Sequence, residues 1–241
     1  MLLILEEAAK SGVPLTPTDV NAEIGLPKPT IHRLFATLEA EGFLMRELDG
    51  RSYTAGRRLR RLSANVLSSL RIRTARLAVL GGLAADIGET CNIAVPDRDA
   101  MVYLDRVETE WPLRIQLPVG TRVPFYCTAS GKMYLASLNE AHLERYLRAA
   151  KIGRRTDRTI SDIDRLRAEI SKTRQRQFAE DAEEFMDGMV AIAVPILDDQ
   201  DRLVSTVSFH APTIRMSLDQ ARTHIRALRS ASQELSRLLL S

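Results

Sequence analysis

Cysteine is scarce: two residues in 241, Cys91 and Cys127, with neither a Cys-x-x-Cys spacing nor a histidine cluster beside them. A disulfide scaffold and a structural zinc site are therefore not expected, and a reducing compartment is. The four histidines, at 32, 142, 210 and 224, show no ligand spacing, so neither a metal nor any other cofactor is expected. No apolar run is long enough to span a bilayer. The opening Met1–Leu5 is followed at once by Glu6 and Glu7, too short and too acidic for a signal peptide. The chain reads as cytoplasmic, with no membrane partner. It also lacks internal repeats and low-complexity tracts.

Apolar residues make up 45% of the chain, enough for two modest domains with real cores. Net charge is only +3, so its distribution matters more than its sum. Between Asp49 and Asp86 there is no acidic residue, while Arg51, Arg57, Arg58, Arg60, Arg61, Arg71, Arg73 and Arg76 fall in the same interval. Such a local excess is the footprint of a polyanion-binding surface. The use of 29 arginines against 5 lysines can reflect base composition, but that bias does not remove acids.

The stretch Pro17–Tyr53 reads as a winged helix-turn-helix. Thr16 or Thr18 can cap a short helix with Pro17 in its first turn, and Val20 and Ile24 give it one apolar face. Gly25 can adopt the positive φ that ends it tightly. Pro29 suits the first turn of the next helix, where Ile31, Leu34, Phe35 and Leu38 form a single buried stripe. Lys28, Thr30, His32, Arg33 and Thr37 cannot join that stripe and project from the other side. A recognition helix reads base edges from its N-terminal half. Arg33 is the candidate for a guanine edge, Lys28 and Thr30 for phosphates. Asp49-Gly50 signals a two-residue hairpin between Leu44–Glu47 and Ser52–Thr54, with Arg51 able to reach a minor groove or phosphate.

Flanking patterns organise the rest. Leu2–Lys10 is a short helix; Arg57–Leu70, with Leu59, Leu62, Val66 and Leu70, is a connecting helix. Thr74–Ile87 is another, with Val79, Leu80, Leu83, Ala84 and Ile87 inward. Asn92–Val95, Ala100–Val107 and Leu113–Leu117 are strand-like. Helical signals return in Gly131–Leu138, Ala141–Ala150 and Ile163–Phe178. Val190–Leu197 and Leu203–His210 form a second strand pair, and Ser217-x-x-Gln220 is a capping box opening one final helix. Strand pairs flanked by helices give an α+β domain with an antiparallel sheet.

Tyr126–Lys132 is a turn of small residues feeding a helix, whose open N–H groups would suit an anion. It is not a P-loop, because Met133 follows Gly131-Lys132. Glu180–Glu184 reads as a solvated acidic run. Ser208 and His210 point to one face of their strand. Cys127, His210 and Asp181 are the ingredients of a nucleophilic set without a spacing that joins them. An enzyme with a fused DNA-binding domain is one alternative, and a ligand-independent DNA binder another.

Three stretches together resemble the IclR family of bacterial transcription regulators over nearly the whole chain. They are Ile24–Leu34 continuing to Leu38 and Gly42-Phe43; Gly120–Pro124 leading through Thr128–Lys132 to Leu135-Ala136; and Gly188–Ile196 with Val207-Ser208. The resemblance implies a winged helix-turn-helix (1–56), a linker helix (57–72) and a GAF/PAS-like effector-binding and oligomerisation domain (73–241). It implies no enzyme but a regulator of double-stranded operator DNA, controlled by a small organic-acid effector and assembled as a homodimer or dimer of dimers. The DNA set would be Thr18, Lys28, Pro29, Thr30, His32, Arg33, Thr37 and Arg51. By motif position, Ala129 and Ser130 would donate backbone N–H groups to an effector carboxylate. Asp181 and Ser208 would bind its other polar groups, and Ile115 and Val123 would form apolar wall. Ala191 stands where some relatives carry cysteine and His210 where a small residue is common, so the effector would differ from the simplest two- and three-carbon acids. The chain starts inside what is usually the first helix, which would shorten an N-terminal dimer contact.

Overall fold

The computed structural model describes residues 1–11, 13–47, 49–67, 70–112 and 114–240, and the side chains of all of these except 64–71, 239 and 240. The chain divides into two compact units, Met1–Leu70 and Arg71–Ser241.

The first unit runs α1 (Leu2–Lys10), α2 (Pro17–Ile24), α3 (Lys28–Ala40), β1 (Leu44–Arg46), β2 (Tyr53–Ala55) and α4 (Arg57–Leu67). Thr16, not Thr18, caps α2. Its hydroxyl accepts the Asp19 N–H at 3.2 Å and the Asp19 carboxylate accepts the Thr16 N–H at 2.9 Å, a reciprocal box worth about 1 kcal/mol. Gly25 ends the helix at φ 70°, in the left-handed region where a side chain would be strained. Asn21 then braces the turn: its amide donates to the Leu26 carbonyl and accepts the Leu26 N–H, at 2.8 and 2.9 Å. The stripe Ile31, Phe35 and Leu38 is buried against Ile4, Val20, Leu44 and Tyr53, with Leu34 at its margin. Phe35 meets the Tyr53 ring edge-on, centroids 5.0 Å apart.

The wing differs from a two-residue hairpin. Arg46 pairs with Tyr53 and the Glu47 N–H still reaches the Ser52 carbonyl, so the turn lies between Glu47 and Ser52, with Asp49, Gly50 and Arg51 its described residues. Asp49 organises it as an acceptor: its carboxylate takes the Arg51 and Ser52 N–H groups and the Ser52 hydroxyl, which holds its carboxyl down at about 2. A bridge from Leu15 to Tyr53 adds a third backbone segment to the hairpin.

The second unit runs α5 (Leu70–Ile87), β3 (Thr90–Asp97), β4 (Ala100–Val107), β5 (Arg122–Pro124), α6 (Ala129–Ser137), α7 (Glu140–Ala149), α8 (Ile163–Arg176), β6 (Ala179–Ala182), β7 (Met189–Leu197), β8 (Leu203–Pro212), α9 (Leu218–Thr223) and α10 (Ile225–Leu240). Its six strands are antiparallel in the order β5-β4-β3-β8-β7-β6. Alternation along the strands divides two cores. Cys91, Ile93, Val190, Ile192, Val194, Val207 and Phe209 face α5, α9 and α10. Ala94, Met101, Ala179, Ala191 and Ala193 face α6, α7 and α8.

Four expectations change here. The final helix breaks at His224 into α9 and α10. Within 113–117, Leu113 lies outside the described residues and 114–117 form no strand: Arg106 donates to the Ile115 and Leu117 carbonyls at 2.5 and 3.1 Å, where a ladder partner would stand. Glu180-Asp181-Ala182 is not solvated but is most of β6, with both acids buried. Of the arginines read as a polyanion footprint, Arg73 and Arg76 are instead tied to the buried Asp105, Arg76 at 2.6 Å. In the connecting helix, residues 68 and 69 and the side chains of Val66, Leu70 and Arg71 lie outside what is described.

Candidate functional site

The first unit presents a cationic edge on α3. With Ile31, Phe35 and Leu38 inward, the remaining positions of α3 turn outward: Lys28, Pro29, His32, Arg33 and Thr37 are exposed and Thr30 half-buried. No described residue forms an ion pair or hydrogen bond with the side chain of Lys28, His32 or Arg33. Thr18 is exposed in the first turn of α2, and Arg51 is exposed in the wing loop. Thr37 donates its hydroxyl to the Arg33 carbonyl at 2.9 Å, leaving it only accepting capacity. Nearby arginines are spoken for: Arg46 clamps Glu39, and Arg58 bonds Glu41.

The second unit gathers buried polar groups where α6 starts on the sheet. Thr128 caps α6, its hydroxyl accepting the Gly131 N–H at 3.1 Å. Among the described residues, the buried N–H groups of Ala129 and Ser130 have no partner. That leaves two parallel donors at the positive end of a nine-residue helix, the arrangement that binds an anionic oxygen pair. Gly131 permits the position. A Cβ there would fall 2.4 Å from Phe125 Cα, so any side chain would push the first turn off the strand-to-helix connection. The Ser130 hydroxyl reaches Ser208 at 3.3 Å.

Sheet register sets what lies beneath. Asp181 pairs with Ala191, and Ala191 with His210, giving one row across β6, β7 and β8; Ala193, Ser208 and Asn92 form the next. Asp181 Oδ1 accepts the Glu184 and Phe185 N–H groups at 2.8 and 3.3 Å. Its Oδ2 is buried with no partner among the described residues. Burial pushes this carboxyl up to about 7 against the pull of Lys132, with Glu184 adding to the rise. Lys132, itself buried, bonds Glu184.

At the other end of the row a relay fixes His210. Arg106 donates to Asn92 Oδ1 at 3.3 Å, so the Asn92 amide nitrogen faces His210 Nδ1 at 3.2 Å. That nitrogen accepts, the ring proton sits on Nε2, and Nε2 donates to the Ile115 carbonyl at 3.4 Å. Burial and the Arg106 charge hold the imidazole down at about 4, so it is neutral in ordinary buffers. Ile115 packs at the margin of this core; Val123 is buried in it on β5, with β4 and β3 between it and Ser208.

The Cys127–His210–Asp181 set does not form. Both ring nitrogens of His210 are engaged elsewhere, and burial pushes the Cys127 thiol up to about 12, far from a reactive thiolate. Asn92, Arg106, Lys132 and Glu184 were missed by sequence reasoning. Only Asn92 carried a signal, as a lone amide in the apolar run Cys91–Val95. Among the described residues, no helix is long and apolar enough to cross a membrane and no group of three or more His, Cys, Asp or Glu could hold a metal.

Comparison with known proteins matches both units. A family model described as the IclR helix-turn-helix domain matches residues 2–47, and one described as the bacterial transcriptional regulator IclR C-terminal matches residues 64–237. The probable transcriptional regulator SauR of Cupriavidus necator is 38% identical over 232 residues, 96% of this chain and 92% of that protein. The HTH-type transcriptional regulator BhcR of Paracoccus denitrificans is 32% identical, over 95% of this chain and 81% of its own. Among solved structures, the Thermotoga maritima IclR superposes with a TM-score of 0.67 at 28% identity, over 97% of this chain and 94% of the other. With a helix-turn-helix domain at one end and the family's C-terminal domain at the other, the chain belongs to the IclR family of bacterial transcriptional regulators.

Proposed function

We propose that this regulator binds double-stranded operator DNA through α3 and the wing, and that a small organic acid held at the start of α6 changes that affinity. The observation that carries the reading is the pair of buried, unpartnered amides of Ala129 and Ser130 beside Ser208 and Asp181, in a chain whose first unit is a DNA reader. In this reading Arg33 reaches a guanine edge. Lys28, Thr30 and the α3 terminus hold phosphate, while Thr18, Pro29, His32 and Thr37 line the groove and Arg51 meets the backbone beyond it. Ala191 floors the acid site, Ser208 and His210 bound it, and Ile115 and Val123 supply apolar wall. The functional segments are 1–56, 57–72 and 73–241. Two or four copies would engage two half-sites about one helical turn apart.

The test uses the palindromic duplex enriched from a random library by the full chain. Fluorescence anisotropy on that duplex, with and without a panel of short carboxylates, should reveal an acid that shifts affinity by roughly 5- to 150-fold. A panel that binds but leaves DNA affinity unchanged would remove the regulatory half of the reading. An enzyme reading has no support in the Cys127 or His210 environments.

A further inference from the structure

If the second unit binds an organic acid, as proposed above, its own unsatisfied groups narrow the class. The Ala129 and Ser130 amides and the Ser208 hydroxyl can take one carboxylate. Asp181, Ala191 and His210 lie in register across three adjacent strands on the face that α6 covers. With strands about 4.8 Å apart, the carboxyl and imidazole stand about 10 Å apart at the backbone, and only a methyl group rises between them. Lys132, two residues along α6 from Ser130, is close enough to pull on the Asp181 charge, which ties the helix start to this row.

Asp181 is fully buried, yet only Oδ1 is bonded; Oδ2 has no partner among the described residues. A buried polar atom left open costs free energy that a bound donor or acceptor recovers. At the far end, around His210, no cation among the described residues is free. His210 is neutral, and Arg106 is committed to Glu108, Asn92 and the Ile115 and Leu117 carbonyls.

We propose that the effector is a short hydroxy-monocarboxylate, its carboxylate on the Ala129 and Ser130 amides and its hydroxyl bonded to Asp181 Oδ2. A hydroxyl answers that oxygen in either state, donating to the carboxylate or accepting from the acid. A keto oxygen can only accept, an alkyl carbon does neither, and a second carboxylate directed at His210 meets no free cation among the described residues.

The test is calorimetry on the full chain at pH 8 with propionate, lactate, 3-hydroxypropionate, pyruvate and malonate. Lactate or 3-hydroxypropionate should bind roughly 10- to 100-fold tighter than propionate, and malonate and pyruvate no tighter than propionate. Asp181→Asn should shrink the advantage of the hydroxy acids over propionate to about threefold or less. If Asp181→Asn misfolds, the wild-type ratios alone decide. Equal binding of propionate, pyruvate and the hydroxy acids overturns the hydroxyl assignment and leaves the acid site standing. Tighter binding of malonate overturns the single-carboxylate part. Absence of binding by every acid defeats the acid site itself, and this proposal with it.

Discussion

On α3, Lys28, His32 and Arg33 stand in solvent with no described partner, over an apolar stripe that holds the helix rigid. Around α6, Asp181, Ser208 and His210 are buried and each is bonded within the protein, while Asp181 Oδ2 and the Ala129 and Ser130 amides have no partner among the described residues. The first arrangement suits a partner that brings its own charge and water and reads an exposed edge. The second suits a small guest that must replace water completely. Substitutions should therefore separate. On the reading edge they cost binding and spare folding. Around α6 they touch folding, its pH dependence and ligand binding together.

Gly131→Val should have the largest effect. Its side chain would start 2.4 to 2.7 Å from Phe125 backbone atoms that cannot yield as a flexible side chain could, at a cost of about 1–3 kcal/mol or more in the second unit. Thermal unfolding should show one transition lowered while operator binding persists below it; an unchanged melting curve would contradict the close approach.

Arg33→Ala comes next. Losing a base-edge pair should weaken operator binding by about 1–3 kcal/mol, roughly 10- to 100-fold, with the melting temperature unmoved. Wild-type affinity in that variant would show that Arg33 reads no base.

The pH dependence is sharper still as a comparison. Between about pH 4 and 7 the folded chain keeps the Asp181 proton that the unfolded chain has released, so this group's contribution to stability falls as pH rises. His210 runs the other way: its folded value of about 4 lies below the ordinary 6.5, so its contribution is lost as pH falls through that window. Their sum is shallow, and a difference measurement separates them. The groups acting on Asp181 are Lys132 and Glu184, with the uncharged Tyr103 and Cys127 nearby. Asp181→Asn minus wild type should grow more favourable from pH 5 to pH 8. A flat difference would mean that Asp181 is ionised throughout.

Thr16→Ala should cost about 1 kcal/mol in the first unit by removing the α2 box. Lys28→Ala is the smallest: DNA affinity should drop equally on all sequences, and the slope of log affinity against log salt should flatten by about one. A sequence-dependent loss would turn Lys28 from a phosphate contact into a base reader.

The same contrast explains what the sequence could disclose. The α2–turn–α3 frame was legible because its causes are local: Thr16 at a cap, Gly25 at a positive φ, and an apolar stripe of helical period. Thr128–Gly131 was legible as a cap for the same reason. The chemistry around it was not. Glu180-Asp181 looks like any solvated acidic run until β7 supplies its pairing partner and α6 covers it. Residues 114–117 alternate as a strand does, yet a guanidinium from β4 takes their carbonyls. Arg76 looked like surface charge and is held by Asp105, 29 residues along the chain. The wing loop was misjudged more narrowly: Asp49-Gly50 marks the turn, but the Asp49 carboxylate needs two further N–H groups and so lengthens it.

The most direct trial of this division is to measure DNA affinity and acid affinity on two variants, using the enriched duplex and the tightest acid of the panel. Arg33→Ala should weaken DNA binding and keep the acid, and Asp181→Asn should weaken binding of that acid and keep DNA affinity in its absence. Either variant lowering both affinities, while still folded, would contradict the separation of an exposed reader from a buried ligand site.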